Sequence, residues 1–164
     1  MTLLDRYDRL LDGLLQALIA QYGGRLRSVV VFGSVGRGTP REDSDVDVLI
    51  VAGDLPRGRF ARVEEFERVE ARLGTDLCRV APGGPAVTLS PVFKTPEEVQ
   101  AGSPLFLDMV DDARILYDAD GFFAGYLDRL RRRLHELGAR RIRLGNAWYW
   151  DLKPDLKPGE VFTL

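Results

Sequence analysis

The sequence contains one cysteine, Cys78, and one histidine, His135, among its 164 residues. A single cysteine excludes an internal disulfide and a cysteine-based metal cluster, and a single histidine excludes a histidine-rich metal site. No apolar run approaches the roughly 18 residues of a membrane-spanning helix, so we expect no membrane partner. Asp5 and Arg6 interrupt the N-terminal leucines, a pattern that does not fit a signal peptide and favours a cytoplasmic location.

Lysine is also scarce, because Lys94, Lys153 and Lys157 are the only lysines among 23 basic residues. The formal net charge of −2 gives no reason to expect tight, nonspecific binding to nucleic acid. Apolar residues make up 45% of the chain and charged residues 29%, which is typical of a globular protein. We find no repeat and no domain boundary, so residues 1–164 are predicted to form a single domain.

Hydrophobic periodicity predicts helices that alternate with strands. The predicted helices are an N-terminal helix over about 3–21, one after Gly58 with Phe60, Val63, Phe66, Val69 and Leu73 along one side, one capped by Thr95, one around Ser103 to Asp111, and one from Phe122 to Leu137. The predicted strands are Ser28 to Phe32, Val46 to Val51, Ala86 to Phe93, Arg114 to Tyr117, and a last strand starting at Ile142 and Leu144 before an aromatic tail that ends at 164. This order predicts an α/β (α+β) fold, a mixed β-sheet with flanking helices.

A glycine-rich turn, Gly33-Ser34-Val35-Gly36-Arg37-Gly38, follows the first predicted strand. Glycines let the backbone approach a ligand closely, and amides at a helix start together with the Ser34 hydroxyl suit an anion. Glycine-rich strand exits are common, so this turn by itself is weak evidence for a phosphate site. Arg37 suits neutralising phosphate charge, although an arginine in a turn is by default a solvated residue.

Two aspartates, Asp45 and Asp47, open the second predicted strand. Because side chains alternate along a strand, both carboxylates lie on one face, while Val46 and Val48 lie on the other. Like charges this close repel each other, and a divalent cation such as Mg²⁺ relieves the repulsion because it prefers oxygen ligands. The alternative is an exposed strand edge with solvated aspartates. Asp43 is predicted to lie in the preceding loop and not to be a ligand.

The turn and the aspartate pair together resemble the signature of the DNA-polymerase-beta-like nucleotidyltransferases, especially their minimal members. The resemblance covers 29–51 closely and the rest only in the order of its elements. It implies a nucleotidyltransferase fold, with Gly33, Ser34 and Arg37 binding the nucleotide and Asp45 and Asp47 acting as catalytic metal ligands. One or two Mg²⁺ ions would be the cofactor, and ATP or another NTP the substrate.

The resemblance also implies an activity and a partner. The activity is metal-dependent transfer of a nucleoside monophosphate, AMP from ATP, to an acceptor hydroxyl. Small members of this family often pair with a helical HEPN protein in toxin–antitoxin systems, so a HEPN-type partner is implied here too. A dinucleotide-binding oxidoreductase fits poorly, since no Gly-x-Gly-x-x-Gly follows the first strand and the aspartate pair would be unexplained.

One element of the family pattern is missing. Active members usually carry a third carboxylate on a following strand, yet the run from Val87 to Phe93 contains no acid, and Ser90 cannot replace one. Asp76 completes the site if it lies on a strand, whereas the favoured interpretation is a helix cap. A domain that binds nucleotide or its partner without efficient transfer is therefore the alternative function.

Two further features are left with alternatives. Seven arginines between 129 and 143 suit RNA phosphates or an acidic partner, or form the solvated face of an amphipathic helix. They are Arg129, Arg131, Arg132, Arg133, Arg140, Arg141 and Arg143. Trp148-Tyr149-Trp150 suits base stacking, or docking onto the domain or onto a second subunit of a homo-oligomer. His135 is assigned a surface or packing role.

Overall fold

A computed structural model describes all residues from 1 to 164 and contains six α-helices and six strands. The helices are α1 (Leu3–Tyr22), α2 (Gly33–Gly36), α3 (Arg59–Leu73), α4 (Pro96–Gln100), α5 (Leu105–Asp112) and α6 (Phe122–Glu136). The strands are β1 (Leu26–Phe32), β2 (Val46–Ala52), β3 (Leu89–Lys94), β4 (Arg114–Asp118), β5 (Arg140–Leu144) and β6 (Ala147–Asp151). None of the helices combines the length and the apolar character that crossing a membrane requires.

The main sheet has four strands in the order β3-β2-β1-β4. β1 pairs antiparallel with both β2 and β4, whereas β2 pairs parallel with β3. The predicted mixed sheet is therefore confirmed. β3 is an edge strand, as expected from Pro91, because a proline cannot donate to a second neighbouring strand.

Both faces of this sheet are covered, which explains why β1 and β2 are almost continuously apolar. On one face, α1 and α3 pack over Val29, Val31 and Val48, with Leu10 and Leu14 of α1 fully buried. On the other face, a second cluster joins the central strands to α5 and α6. It contains Val30, Leu49, Val51, Phe106, Met109, Phe123 and Leu127. Asp47 lies on this second face because it alternates with Val46 and Val48.

The helix ends follow local capping chemistry. Thr2 accepts a hydrogen bond from the Asp5 N–H, and the Asp5 carboxylate accepts one from the Thr2 N–H, forming a capping box. The predicted cap at Thr95 is confirmed, since Thr95 and Glu98 form the same reciprocal pair at the start of α4. These caps fix the starting points of two helices from sequence alone.

Several predicted details are wrong. Phe60 is 91% exposed, because at about 100° per residue it lies roughly 140° from the stripe of α3 centred on Phe66, Val69 and Leu73. The third strand begins at Leu89 instead of Ala86. The predicted aromatic tail is instead part of a strand, because residues 147–151 form β6, which pairs antiparallel with β5.

The arginine-rich stretch is likewise divided between two elements. α6 ends at Glu136, so Arg129, Arg131, Arg132 and Arg133 lie on the helix, whereas Arg140, Arg141 and Arg143 lie on β5. A single helical face therefore does not describe it. A Gly145-Asn146 turn with a positive φ of 62° at Gly145 closes the β5–β6 hairpin, and that dipeptide is a signal that predicts a hairpin.

Candidate active site

The glycine-rich turn forms at the end of β1. Phe32 is the last residue of the strand, and α2 starts at Gly33, which adopts a φ of 66° that disfavours any residue with a side chain. A Cβ placed on Gly33 would collide with Oδ2 of Asp47. Glycine is therefore required here for two reasons, the backbone conformation and the close approach of a carboxylate.

The two aspartates lie beside this turn. Asp47 is directly opposite Phe32 in the antiparallel β1–β2 ladder, so the end of one strand meets the start of the next. Asp45 precedes β2 by one residue and is exposed, whereas Asp47 is half-buried. Neither carboxylate takes part in any of the salt bridges of the protein. The pair thus lies close to the glycine-rich turn, and neither aspartate has a salt-bridge partner.

The electrostatics of Asp47 reflect this environment. Burial raises the pKa of the Asp47 carboxyl above its usual value, the charge of Asp45 raises the pKa further, and the charge of Arg37 opposes both effects. Desolvation and a like charge both disfavour the ionised form. A bound cation would reverse this balance, because it compensates the two negative charges together.

A metal at this position is compatible with the residues present. The two carboxylates offer hard oxygen donors, and Mg²⁺ is commonly held by one or two carboxylates together with substrate phosphates and water. No group of three or more histidine, cysteine or acidic side chains is arranged to hold a metal ion. The two carboxylates would supply part of the coordination of such an ion, and its remaining ligands would come from outside the protein.

The other acids discussed for this site lie elsewhere. In the parallel β2–β3 pair, Ser90 is the residue opposite Asp47, so the neighbouring strand contributes a hydroxyl where an acid was sought. Asp76 lies in a turn after α3, where its carbonyl accepts a hydrogen bond from the Arg79 N–H, and it lines a small cavity with Met1 and Arg9. It is neither on a strand nor a helix cap, because the C-cap of α3 is Gly74.

Tyr7 is a residue of the site region that the sequence did not reveal. It is 1% exposed on α1, and its hydroxyl donates to the Ser44 carbonyl at 2.7 Å, with the Arg41 carbonyl at 2.9 Å. The Ser44 hydroxyl in turn accepts a hydrogen bond from the Arg41 N–H at 2.9 Å. The loop that delivers Asp45 is thus attached to the core of the protein.

A cavity of about 490 Å³ opens next to Asp47. Phe32, Ser90 and Leu105 contribute to its wall, together with residues of α3. It provides space for a group approaching Asp47 from the edge of the sheet.

Comparisons with known proteins identify relatives of this chain. Residues 11–80 match the family model described as nucleotidyltransferase domain. A protein adenylyltransferase of Methanocaldococcus jannaschii is 31% identical over 126 residues, covering 76% of this chain and 80% of that protein. A second one from the same organism is 49% identical over 39 residues, covering 24% and 38%. A toxin–antitoxin complex with AMP-PNP is 18% identical with a TM-score of 0.48, covering 76% and 90%.

The chain therefore belongs to the nucleotidyltransferase family. Its fold is a four-stranded mixed sheet with flanking helices, and the protein is a nucleotidyltransferase.

Proposed function

We propose that this enzyme transfers AMP from ATP to a hydroxyl group of a protein and that the transfer depends on Mg²⁺. The observation that carries the proposal is the unpaired Asp45–Asp47 pair directly beside the Gly33 turn. Adenylyl transfer to a protein is supported by the names of the two Methanocaldococcus jannaschii relatives. ATP is the substrate, so Mg²⁺ would arrive bound to its phosphates.

The residues of the proposed site have different roles, which follow from their positions. The backbone of the turn and the Ser34 hydroxyl bind the outer phosphates, and that hydroxyl forms no hydrogen bond within the protein that would have to be broken first. Arg37 compensates phosphate charge at the rim. Asp45 and Asp47 hold the metal, which when bound stabilises negative charge on the phosphates and on the departing pyrophosphate.

The bond changes are those of a simple displacement. The acceptor oxygen forms a bond to the α-phosphorus, and the bond from that phosphorus to the pyrophosphate oxygen breaks. The acceptor proton is lost to solvent, since Ser90 beside Asp47 is not a base at neutral pH. Positioning and electrostatic stabilisation are therefore the main contributions of the protein.

The partner is proposed to be a small helical protein of the HEPN type. This part of the proposal rests on the resemblance of the motif, in which minimal nucleotidyltransferases act on such partners as antitoxins. The cavity of about 490 Å³ at the sheet edge offers a route by which a side-chain hydroxyl of a partner reaches the site.

Label transfer tests the proposal. The protein is incubated with α-labelled ATP, Mg²⁺ and a co-expressed HEPN-type protein, and label on the partner is measured. We expect labelling by the wild type, none with EDTA, and none by Asp45→Asn or Asp47→Asn. Asp76→Asn is the matched control, because Asp76 lies outside the site, and it should label normally. Labelling that survives both Asp45→Asn and EDTA would refute the proposal.

A second candidate function is a domain that binds Mg²⁺ and ATP and acts by binding its partner, with little transfer. The observation that favours it is the serine opposite Asp47 in place of a third acid. Calorimetry separates the two candidates, since this function predicts Mg²⁺-dependent ATP binding without labelled product.

A further inference from the structure

The C-terminal hairpin reaches the active site through one tryptophan. Trp148 lies on β6, and the centroid of its ring is 5.3 Å from Cζ of Arg37, the arginine that follows the Gly33-Ser34 turn. The charge of Arg37 also acts on Asp47. Arg37 therefore interacts electrostatically both with Asp47 and with an aromatic ring from the C-terminal part of the chain.

Trp148 is itself fixed by polar contacts to α5. Its indole Nε1 donates to the Asp108 carboxylate at 3.0 Å. Cζ of Arg141 lies 4.1 Å from the centroid of the same ring, and Arg141 donates to the Asp112 carboxylate at 2.7 Å. The hairpin is thus attached to α5 by two hydrogen bonds, one from Trp148 and one from Arg141.

The same helix contacts the turn directly. A Cβ on Gly36 would lie 3.1 Å from the Asp112 carbonyl oxygen and 2.6 Å from that of Val31, so the end of α5 and the turn are in close contact. The position of Trp148 relative to the turn is therefore set by packing through α5 and not by a free tail.

Arg37 has unused hydrogen-bonding capacity. It appears in none of the salt bridges of the protein. The charge of Arg37 is attracted to the ring of Trp148, while the guanidinium N–H donors have no carboxylate partner within the protein and can match a phosphate. An unpaired arginine held in this way has lost part of its rotamer freedom before a ligand arrives.

We propose that Trp148 is a positioning residue for nucleotide binding, which restrains the Arg37 guanidinium through a cation–π contact and leaves its N–H groups free for the phosphates of ATP at the Gly33-Ser34 turn. This inference rests on the proposed function, because it concerns the same nucleotide. Trp148 acts through Arg37 and is not a catalytic residue. It lies outside residues 11–80, which match the family model.

A double-mutant cycle measured by calorimetry tests this role. The probe is Mg²⁺ with an ATP analogue that carries a methylene between the α- and β-phosphates, so no transfer occurs. Trp148→Leu should weaken binding about two- to fivefold, the range of exposed cation–π pairs. In an Arg37→Ala background, Trp148→Leu should have no further effect. Trp148→Phe, which keeps an aromatic face, should bind within about twofold of the wild type.

The control is Tyr149→Leu, which removes an aromatic ring 51% exposed on the opposite face of β6, and it should bind like the wild type. Thermal unfolding in EDTA checks the fold, and Trp148→Met replaces the leucine variant should that variant not fold. Equal affinity of Trp148→Leu and the wild type overturns the inference and leaves the proposed function standing. An equal loss in both backgrounds also overturns it, since it marks a general structural effect. No binding by the wild type overturns the proposed function as well.

Discussion

Replacing Gly33 by alanine separates the two reasons for glycine in the active-site turn. Gly33 has a φ of 66°, and an alanine forced into this left-handed region costs about 1–2 kcal/mol of folding free energy. The new Cβ would also collide with Oδ2 of Asp47, so the carboxylate has to move. The first effect concerns the stability of the fold, and the second concerns the proposed metal site.

Gly38→Ala is the matched control. Gly38 has a φ of 73° in the same turn, yet a Cβ there would meet nothing within 4 Å. Both variants should therefore lower the free energy of unfolding by about 1–2 kcal/mol, which for a chain of this length corresponds to roughly 2–8 °C in Tm. Only Gly33→Ala should displace Asp47. A misplacement of about 1 Å at a catalytic group can reduce the rate about 100-fold.

The assays are thermal unfolding in EDTA and label transfer from α-labelled ATP at saturating Mg²⁺. We expect similar Tm values for the two variants and about 100-fold lower transfer for Gly33→Ala alone. Equal activity of Gly33→Ala and Gly38→Ala would refute the reasoning, because it would show that the contact of Gly33 with Asp47 does not matter for the site.

Three further predictions concern neighbouring groups. Tyr7→Phe removes the hydroxyl that donates to the Ser44 carbonyl, so it should lower the free energy of unfolding by about 1 kcal/mol and reduce kcat. Unfolding and steady-state kinetics measure the two effects, and an unchanged kcat would contradict the prediction. The pKa of Asp47 is raised in the folded state, so folding favours the protonated carboxyl. The stability that this carboxyl contributes to the metal-free protein is present at low pH and is lost as pH rises through the folded-state pKa. Asp47→Asn should therefore be more stable than the wild type at pH 7 in EDTA, and equal Tm values there would contradict this. The hydrogen bonds from Arg62 are the main cause of the lowered pKa of Glu98, so the stability that this pair contributes is lost as pH falls. Glu98→Gln should therefore flatten the acid limb of a plot of Tm against pH.

Much of the fold follows from local patterns. The helix at α1 and the buried strands β1 and β2 match their predicted spans within a few residues, because periodicity and β-branched runs report directly on elements that are covered on one or both faces. The Thr95 cap was predictable for the same reason, since capping involves residues only three positions apart. Phe60 shows the limit of periodicity, because an apolar residue three positions before Val63 is easily counted into the apolar stripe although it lies on another side of the helix.

The Gly33 turn and the Asp45–Asp47 pair were readable from the sequence because they are the two sides of one antiparallel strand pair, so a short segment contains both. The placement of these residues as ligands stays a prediction that the Asp45 and Asp47 variants test. The hairpin was not predicted from the sequence, although the Gly145-Asn146 turn and the alternation of arginine with apolar residues in β5 indicate one.

The sequence by itself indicated the family, the mixed sheet and the Gly33 turn beside Asp45 and Asp47, because each depends on spacing within a short stretch of chain. Only the tertiary structure decided that Ser90 lies opposite Asp47, that Tyr7 holds the loop before Asp45, and that Trp148 lies on Arg37. These contacts join segments far apart in the chain. Their partners are selected by how the helices and the hairpin pack on the sheet, and no local pattern of residues encodes that packing.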